Sequence, residues 1–201
     1  MQDELYSDGE EKFGFLASKL YGLNRLIPTF KHYYKFVLED LESFGKLNLM
    51  DIGCGNGYIL LALGSRNLKV SAIGIDPSPQ MIKIATKKSI SKGFENRIHF
   101  LNGSSRSIQS NEKFDVIYTS MSFHHWKERE NSISNIMAHL TSEGSFNIYE
   151  IKPHKVIYWQ IANSHTMRAS DFEDIGEKMN LAYDIKENRD FIRCSLKQKE
   201  T

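Results

Sequence analysis

An aspartate and three glycines stand together directly after an apolar run, in Asp51-Ile52-Gly53-Cys54-Gly55-Asn56-Gly57. Glycine lets the backbone turn sharply and approach a ligand closely. The spacing departs from the dinucleotide pattern GxGxxG, because Tyr58 occupies the third glycine position, and no Gly-Lys-Ser/Thr of a phosphate loop follows. A carboxylate immediately before the glycines would repel a pyrophosphate and attract a cation. The segment therefore predicts a site for a cationic ligand, the alternative being an ordinary tight turn.

A second acid, Asp76, ends the next apolar run and is followed by Pro77. It lies about 20 residues after the last glycine of the loop, the spacing at which an acid meets a nucleoside ribose in Rossmann-type folds. Its two oxygens could accept from both ribose hydroxyls, and Pro77 would then lie beside the base. The alternative is an N-cap or turn acid before Pro77.

Two adjacent histidines, His124 and His125, follow the fourth predicted strand. Either is a candidate general base, because histidine titrates near neutral pH. The alternative is that one packs beneath the next helix and the other faces solvent. Glu150, at the end of the fifth predicted strand, could orient a substrate group or be a solvated acid. Tyr33 and Tyr34 are expected in the core, although they could also close the pocket.

The elements that must position these residues follow from the alternation of apolar runs with helical periodicity. Strands are predicted at Leu47–Ile52, Val70–Ile75, Arg97–Leu101, Phe114–Thr119, Ser145–Ile151, Leu181–Ile185 and Asp190–Leu196. This order predicts a doubly wound sheet. The last two strands are too close for a helical crossover and should pair antiparallel. Ligands bind such sheets outside the carboxyl ends of the strands.

Helices are predicted between these strands. Residues 13–44 read as two helices separated at Pro28, with Gly45 as the C-cap. Ser78 is expected to cap a helix that begins at Pro79. A later helix is expected to end at Gly144, and Ser170 with Glu173 is expected to form the capping box of the last helix.

Several of these segments resemble motifs of the class I S-adenosylmethionine-dependent methyltransferases. Leu49–Gly57 is similar to the DxGxGxG first motif, and Asp76 matches the acid of the second. Phe114–Ser120 is similar to the fourth-strand motif. Phe123–Trp126 is similar to the His-His segment of the subgroup that includes quinone-biosynthesis methyltransferases. Leu140–Ser145 is similar to the family's turn into strand five.

The resemblance implies a Rossmann-like α/β fold with a mostly parallel seven-stranded sheet and an antiparallel C-terminal hairpin. It divides the chain into an N-terminal helical cap segment, residues 1–45, and a methyltransferase core, residues 46–201. The implied cofactor is S-adenosylmethionine, which leaves as S-adenosylhomocysteine, and no metal is expected. The residues expected to contact the cofactor are Asp51, Gly53, Cys54, Gly55, Gly57, Asp76, Pro77, Met81, Gly103, Ser104, Ser105 and Ser120.

One position departs from the family pattern. The family often carries an acid after strand three that holds the adenine amino group, and Ser104 stands there in this chain. Its hydroxyl, or backbone groups, would have to make that contact. The donor itself fits the loop, because S-adenosylmethionine is an amino-acid zwitterion with a sulfonium and no phosphate.

Composition narrows the function classes. The 201 residues carry 26 basic and 25 acidic side chains, a net charge of +1 that argues against a surface built for many phosphates. The two cysteines, far apart in sequence, predict no disulfide framework and a reducing cytoplasm. No signal peptide or membrane span is predicted. Residues 119–123 also lack the Asn/Asp-Pro-Pro-aromatic segment of DNA amino-methylases.

The leading hypothesis is therefore a methyltransferase for a small-molecule acceptor, with His124 or His125 as the base where the acceptor must lose a proton. The oligomeric state is left open between monomer and homodimer. Alternatives are a protein or RNA methyltransferase of the same fold, a regulatory protein that binds the cofactor without turnover and, more distantly, a nucleotide-dependent oxidoreductase.

Overall fold

One mixed sheet organises the part of the chain that the structure describes. A computed structural model describes residues 28–45, 48–153 and 166–199. The strands are β1 Asn48–Ile52, β2 Ser71–Asp76, β3 Ile98–Asn102, β4 Phe114–Ser120, β5 Leu140–Ile151, β6 Ala182–Glu187 and β7 Phe191–Lys197. They lie in the order β3-β2-β1-β4-β5-β7-β6. The first five pair in parallel, and β7 pairs antiparallel with both β5 and β6. The predicted fold class is confirmed.

The order of the strands in this sheet fixes the position of the predicted ligand site. The strand order reverses between β1 and β4, since β2 and β3 extend to one side of β1 and β5 lies on the far side of β4. A crevice opens at such a switch point, beyond the carboxyl ends of the strands. The glycine loop follows β1, and residues 121–126 follow β4, so both segments border this crevice.

Helices cover both faces of the sheet. They are α1 Pro28–Ser43, α2 Tyr58–Arg66, α3 Pro79–Ser91, α4 Arg129–Met137 and α5 Ala169–Lys178, with a short 3-10 helix at Phe123–His125. One core cluster joins α1, α2 and α3 to the sheet, and the other joins α4 and α5 to its opposite face. None of the described helices is long and apolar enough to cross a membrane.

Helix α1 packs as part of the first core cluster. Tyr33, Val37, Leu38 and Leu41 recur on one helical face and are at most 3% exposed. On the same side, Asp40 is buried and accepts hydrogen bonds from the Tyr149 hydroxyl at 2.9 Å and from Arg193 Nε at 3.2 Å. Both apolar contacts and paired charges therefore fix α1 to the sheet. The other predicted N-terminal helix, within residues 13–27, lies outside the described residues.

Local signals at two helix ends agree with the structure. Ser78 is the N-cap of α3, its hydroxyl accepts from the Met81 N–H at 3.4 Å, and Pro79 is the first helical residue. Gly45 has φ +62°, and its N–H donates to the Glu42 carbonyl at 3.1 Å, as expected after a helix end.

The prediction that Gly144 ends a helix is wrong. Helix α4 already ends at Met137, and β5 runs from Leu140 through Gly144. The pairing register of β4 and β5 shifts between Phe114 and Val116. A Cβ on Gly144 would lie 2.9 Å from the Phe114 carbonyl oxygen, so this glycine permits the close approach of two strands.

The predicted capping box of Ser170 and Glu173 is also wrong. Helix α5 begins at Ala169, with Arg168 as the N-cap. The carboxylate of Asp171 accepts from the Arg168 N–H at 2.7 Å, so the helix starts two residues earlier than predicted. Several acids near a helix start can fill this position, and sequence spacing alone does not choose among them.

Candidate active site

The glycine loop turns through backbone conformations that favour glycine. Gly53, Gly55 and Gly57 have φ values of +77°, +52° and +75°. The N–H groups of Gly53 and Cys54 both donate to the Ile75 carbonyl, which ties the loop to the end of β2. A Cβ on Gly53 would lie 2.5 Å from Ser122 Oγ. The loop after β1 therefore packs directly against the segment after β4.

Asp76 connects the loop to the start of α3. One of its oxygens accepts from the Gly55 N–H and the other from the Ser78 N–H, both at 2.9 Å. Burial raises its pKa to about 6, although these two N–H groups lower it. Asp76 is thus a turn acid, the alternative raised from sequence. Each carboxylate oxygen can accept a second hydrogen bond, so this role leaves room for ribose hydroxyls.

Asp51 is buried near the end of β1, and not all of its carboxylate oxygens have hydrogen-bond partners among the described residues. It is 2% exposed, and its Oδ1 has no hydrogen-bond partner among the described residues. Burial raises its pKa to about 8; the nearby Tyr118 hydroxyl lowers it, and the charge of Asp76 raises it. Tyr118 Oη likewise lacks a well-aligned hydrogen bond within the described chain. A buried carboxylate in this state needs a cation or a donor.

A pocket opens above Asp51 and the glycine loop. Its lining comes from α1, the glycine loop, the start of α2 and the end of β4: Tyr34, Asp51, Gly53, Cys54, Gly55, Asn56, Tyr58, Ile59, Ser120 and Met121. The rings of Tyr34 and Tyr58 lie 4.7 Å apart between centroids. Cys54 is buried, and burial raises the pKa of its thiol well above the usual value, so it is a space-filling residue of the wall.

The other residues predicted to contact the cofactor lie around the end of β2 and the loop after β3. Pro77 is half-buried, and Met81 is buried on α3. The Gly103 N–H donates to the Asp76 carbonyl at 3.3 Å. Ser104 Oγ is buried and has no hydrogen-bond partner among the described residues, which suits a contact with a ligand.

Ser105 is directed elsewhere. Its hydroxyl lies 2.8 Å from Ser132 Oγ, and its carbonyl accepts from Asn135 Nδ2 at 2.9 Å. Both contacts are made to α4. The side chain of Ser105 therefore holds the loop after β3 to that helix, and a cofactor contact there remains a prediction.

The two histidines lie in different surroundings. His124 Nδ1 lies 2.8 Å from a carboxylate oxygen of Glu150, and the His124 N–H donates to the other oxygen at 3.2 Å. The His124 side chain is 4% exposed and that of Glu150 is fully buried, so the expectation of a solvated acid is wrong. The His125 ring lies 4.0 Å from the His124 ring between centroids and is only half-buried.

Among the described residues, no group of three or more His, Cys, Asp or Glu side chains could hold a metal ion.

The match to a methyltransferase domain model spans residues 49–144, from β1 to the first part of β5. A solved protein of Methanococcus maripaludis is described as an S-adenosyl-L-methionine-dependent methyltransferase. It superposes on this chain with a TM-score of 0.78 over 98% of both chains, at 19% sequence identity. The matched segment contains the glycine loop, Asp51, Asp76 and both histidines. Residues 49–144 are thus similar to a methyltransferase domain, and the chain shares the fold of that solved protein.

The matches to known relatives cover only part of the length of those proteins. A methyltransferase of Staphylococcus carnosus is 33% identical over 58% of this chain and 53% of its own length. The ubiquinone biosynthesis O-methyltransferase of Rickettsia canadensis is 27% identical over 62% of this chain and 52% of its own. The chain thus spans about half of the length of these relatives.

The structure also reveals pocket residues that were not predicted. Asn56, Tyr58, Ile59 and Met121 line the pocket. Met121 has φ +51°, an uncommon conformation for a residue other than glycine, and such strain clusters at functional sites. Asn56 and Tyr58 belong to the glycine segment and could have been found there. Nothing in the sequence distinguishes Met121 as a turn residue.

Proposed function

We propose that this chain is an S-adenosylmethionine-dependent methyltransferase that acts on a small-molecule acceptor. The observation that carries the proposal is the buried Asp51 carboxylate, which lines the pocket at the glycine loop and whose Oδ1 lacks a hydrogen-bond partner among the described residues. An ammonium group supplies the cation and the donors that this carboxylate needs. The pocket fits an amino-acid cofactor better than a pyrophosphate, which Asp51 would repel.

Different residues around the pocket would bind different parts of the cofactor. Asp51 and Ser120 would hold the amino-acid end, the three glycines of the loop would allow close approach of the backbone, and Asp76 would accept from the ribose hydroxyls. Pro77, Met81, Gly103 and Ser104 would enclose adenine. When bound, the cofactor supplies a methyl group already activated by a sulfonium. The protein's task is then to hold donor and acceptor in line.

His124 is the proposed proton acceptor. A carboxylate at Nδ1 favours the tautomer with the proton on that nitrogen, so the basic lone pair lies on Nε2. Glu150 is then a positioning residue, because one of its oxygens contacts the His124 ring and the other accepts from the His124 backbone N–H. The similarity to a ubiquinone biosynthesis O-methyltransferase supports a hydroxyl acceptor, which must lose its proton during transfer.

Calorimetry with S-adenosylhomocysteine tests the binding half of the proposal. The unmodified chain should bind, and Asp76→Ala should weaken binding at least tenfold, because it removes the ribose acceptor and loosens the loop held through Gly55. Asp174→Ala, which changes an exposed acid on α5, is the matched control. Absence of binding to the unmodified chain would overturn the proposal.

A screen with a labelled methyl donor tests the chemical half. It should include phenols, carboxylates, amines and thiols, with a peptide library and RNA as the macromolecular arms. Transfer to a small hydroxyl compound supports the proposal in full. Transfer to RNA or peptide alone replaces the acceptor class. Binding without transfer to any of them favours a regulatory protein that retains the cofactor site.

A further inference from the structure

The hydroxyl of Tyr33 lies where α1 meets the ends of β4 and β5. Tyr33 Oη donates to the Tyr149 carbonyl at 2.8 Å and lies 3.0 Å from Ser120 Oγ. The Tyr33 side chain is fully buried, and its ring packs edge-on against Phe191 at 5.4 Å between centroids. Neither the ring nor the hydroxyl can move far without disturbing the core.

The proton positions along this chain of oxygens follow from chemistry. A carbonyl oxygen can only accept, so the single proton of the Tyr33 hydroxyl points at Tyr149. The Tyr33 oxygen must then accept from Ser120, and the Ser120 proton points toward Tyr33, away from the pocket. Ser120 lines the pocket with Asp51. The Ser120 oxygen therefore presents lone pairs to a ligand in the pocket and no hydrogen-bond donor.

We propose that Tyr33 fixes Ser120 as a hydrogen-bond acceptor and thereby makes α1 part of the receptor for the cofactor's ammonium group. The inference rests on the proposed cofactor binding. Once Asp51 is ionised, Ser120 and the Asp51 carboxylate together present acceptors only, which match the donors of an ammonium. Tyr33 is a positioning residue, since it acts through Ser120.

The binding of α1 to the sheet explains how a helical residue can hold this orientation. The neighbouring Tyr149 side chain donates its own hydroxyl to Asp40 of α1 at 2.9 Å, and Asp40 is also paired with Arg193. The Tyr149 backbone and side chain thus both bind α1. The Ser120 orientation is set by a helix that the family match, residues 49–144, does not include.

The test compares two ligands that differ at the ammonium group. S-adenosylhomocysteine carries the amino-acid end, whereas 5′-methylthioadenosine lacks it. Tyr33→Phe keeps the ring and removes the oxygen, which frees the Ser120 proton to turn into the pocket. We expect Tyr33→Phe to weaken S-adenosylhomocysteine binding about tenfold and to change 5′-methylthioadenosine binding less than about twofold. Ser120→Ala should show the same selectivity.

A double-variant cycle separates positioning from a loosened helix. If Tyr33 acts through Ser120, adding Tyr33→Phe to Ser120→Ala should cause little further loss of S-adenosylhomocysteine affinity. Val37→Ala disturbs the packing of the same helix without touching the hydroxyl chain and should weaken both ligands alike, if either. Additive losses in the cycle, or equal losses for both ligands with Tyr33→Phe, would overturn the inference and leave the proposed function intact. Failure of the unmodified chain to bind either ligand would overturn both.

Discussion

Burial raises the pKa of Asp51 to about 8, so ionising this carboxyl near neutral pH costs free energy in the unliganded protein. The folded state then binds more protons than the unfolded state between about pH 4 and 8, and stability falls as the pH rises through that window. A site that accepts a cation is therefore a site of reduced stability until the cation is present.

Asp51→Asn should stabilise the unliganded protein while it weakens cofactor binding. The amide removes the ionisation cost, so the free energy of unfolding at about pH 8 should rise by an amount on the order of a few kcal/mol. The gain should vanish below about pH 4, where the unfolded chain also protonates Asp51. Urea unfolding at several pH values measures the difference. Asp174→Asn, at an exposed position, should show no such trend. A variant less stable than the parent at pH 8 would contradict the account.

The two histidines should differ in their effect on stability. His124→Ala leaves the fully buried Glu150 without its imidazole partner and should destabilise the fold by about 3–5 kcal/mol. His125→Ala, at a half-buried position, should cost about 1 kcal/mol or less. Denaturant unfolding checks both. Adding Glu150→Gln to His124→Ala should restore part of the loss, because the remaining buried group is then neutral. No restoration would mean that the charge of Glu150 is not the cause.

At the scale of elements, the same residue type serves different purposes in neighbouring turns. Gly57 combines φ +75° with crowding, since its Cβ would lie 2.6 Å from the Phe100 ring and 3.0 Å from Ala85. Gly93 has φ +69°, yet a Cβ there would meet nothing within 4 Å. The first position is constrained by packing and backbone together, and the second by the backbone alone.

Gly57→Ala should therefore be clearly more destabilising than Gly93→Ala. The Gly93 substitution should cost about 1–2 kcal/mol from the left-handed backbone alone. The Gly57 substitution adds displacement of Phe100 and should cost about 1–3 kcal/mol more. Comparing the two by urea unfolding isolates the packing contribution. Equal losses would mean that Phe100 moves aside without penalty.

The anchoring of α1 gives a second contrast between elements. Asp40 is 2% exposed, accepts a hydrogen bond from the Tyr149 hydroxyl, and forms ion pairs with Arg193 and Lys186. The neighbouring Glu39 is exposed, and among the ion pairs described it forms only one, with Lys35 at 3.6 Å. Asp40→Ala should cost about 3–5 kcal/mol, because the buried Arg193 then keeps only the exposed carboxylate of Asp184. Glu39→Ala should change stability by less than about 1 kcal/mol. Similar values for the two in thermal and urea unfolding would argue that Asp40 does not anchor the helix.

Local sequence signals predicted most elements because their causes are local. Strand runs, the Ser78 cap and the glycine turn each depend on a few adjacent residues, and all were found near their predicted positions. The role of Gly144 depends on the Phe114 carbonyl of another strand, and the burial of Glu150 depends on His124. Such contacts join residues distant in sequence, so composition and periodicity do not reveal them.

For the whole molecule, these parts meet at one edge of the sheet. The switch point between β1 and β4 brings Asp51, the glycine loop and Ser120 to a single pocket. Tyr34 of α1 lines the same pocket. The two acids there have raised pKa values, about 8 for Asp51 and about 6 for Asp76. Two further titratable groups beside Asp51, Cys54 and Tyr118, have pKa values raised by burial and stay neutral. Cofactor binding and proton binding should therefore be linked through Asp51.

This linkage predicts that S-adenosylhomocysteine binds more tightly as the pH rises from about 6.5 to 7.5. An ammonium favours ionised Asp51, whose pKa is about 8 without ligand, so binding in this range must release a proton. The affinity should rise by up to about tenfold over one pH unit. Calorimetry in buffers of different ionisation heats should detect close to one proton released per ligand near pH 7. 5′-Methylthioadenosine, which lacks the ammonium, should bind without release, as should S-adenosylhomocysteine to Asp51→Asn. Equal proton release with both ligands on the unmodified chain would place the coupling elsewhere than at the ammonium contact of Asp51.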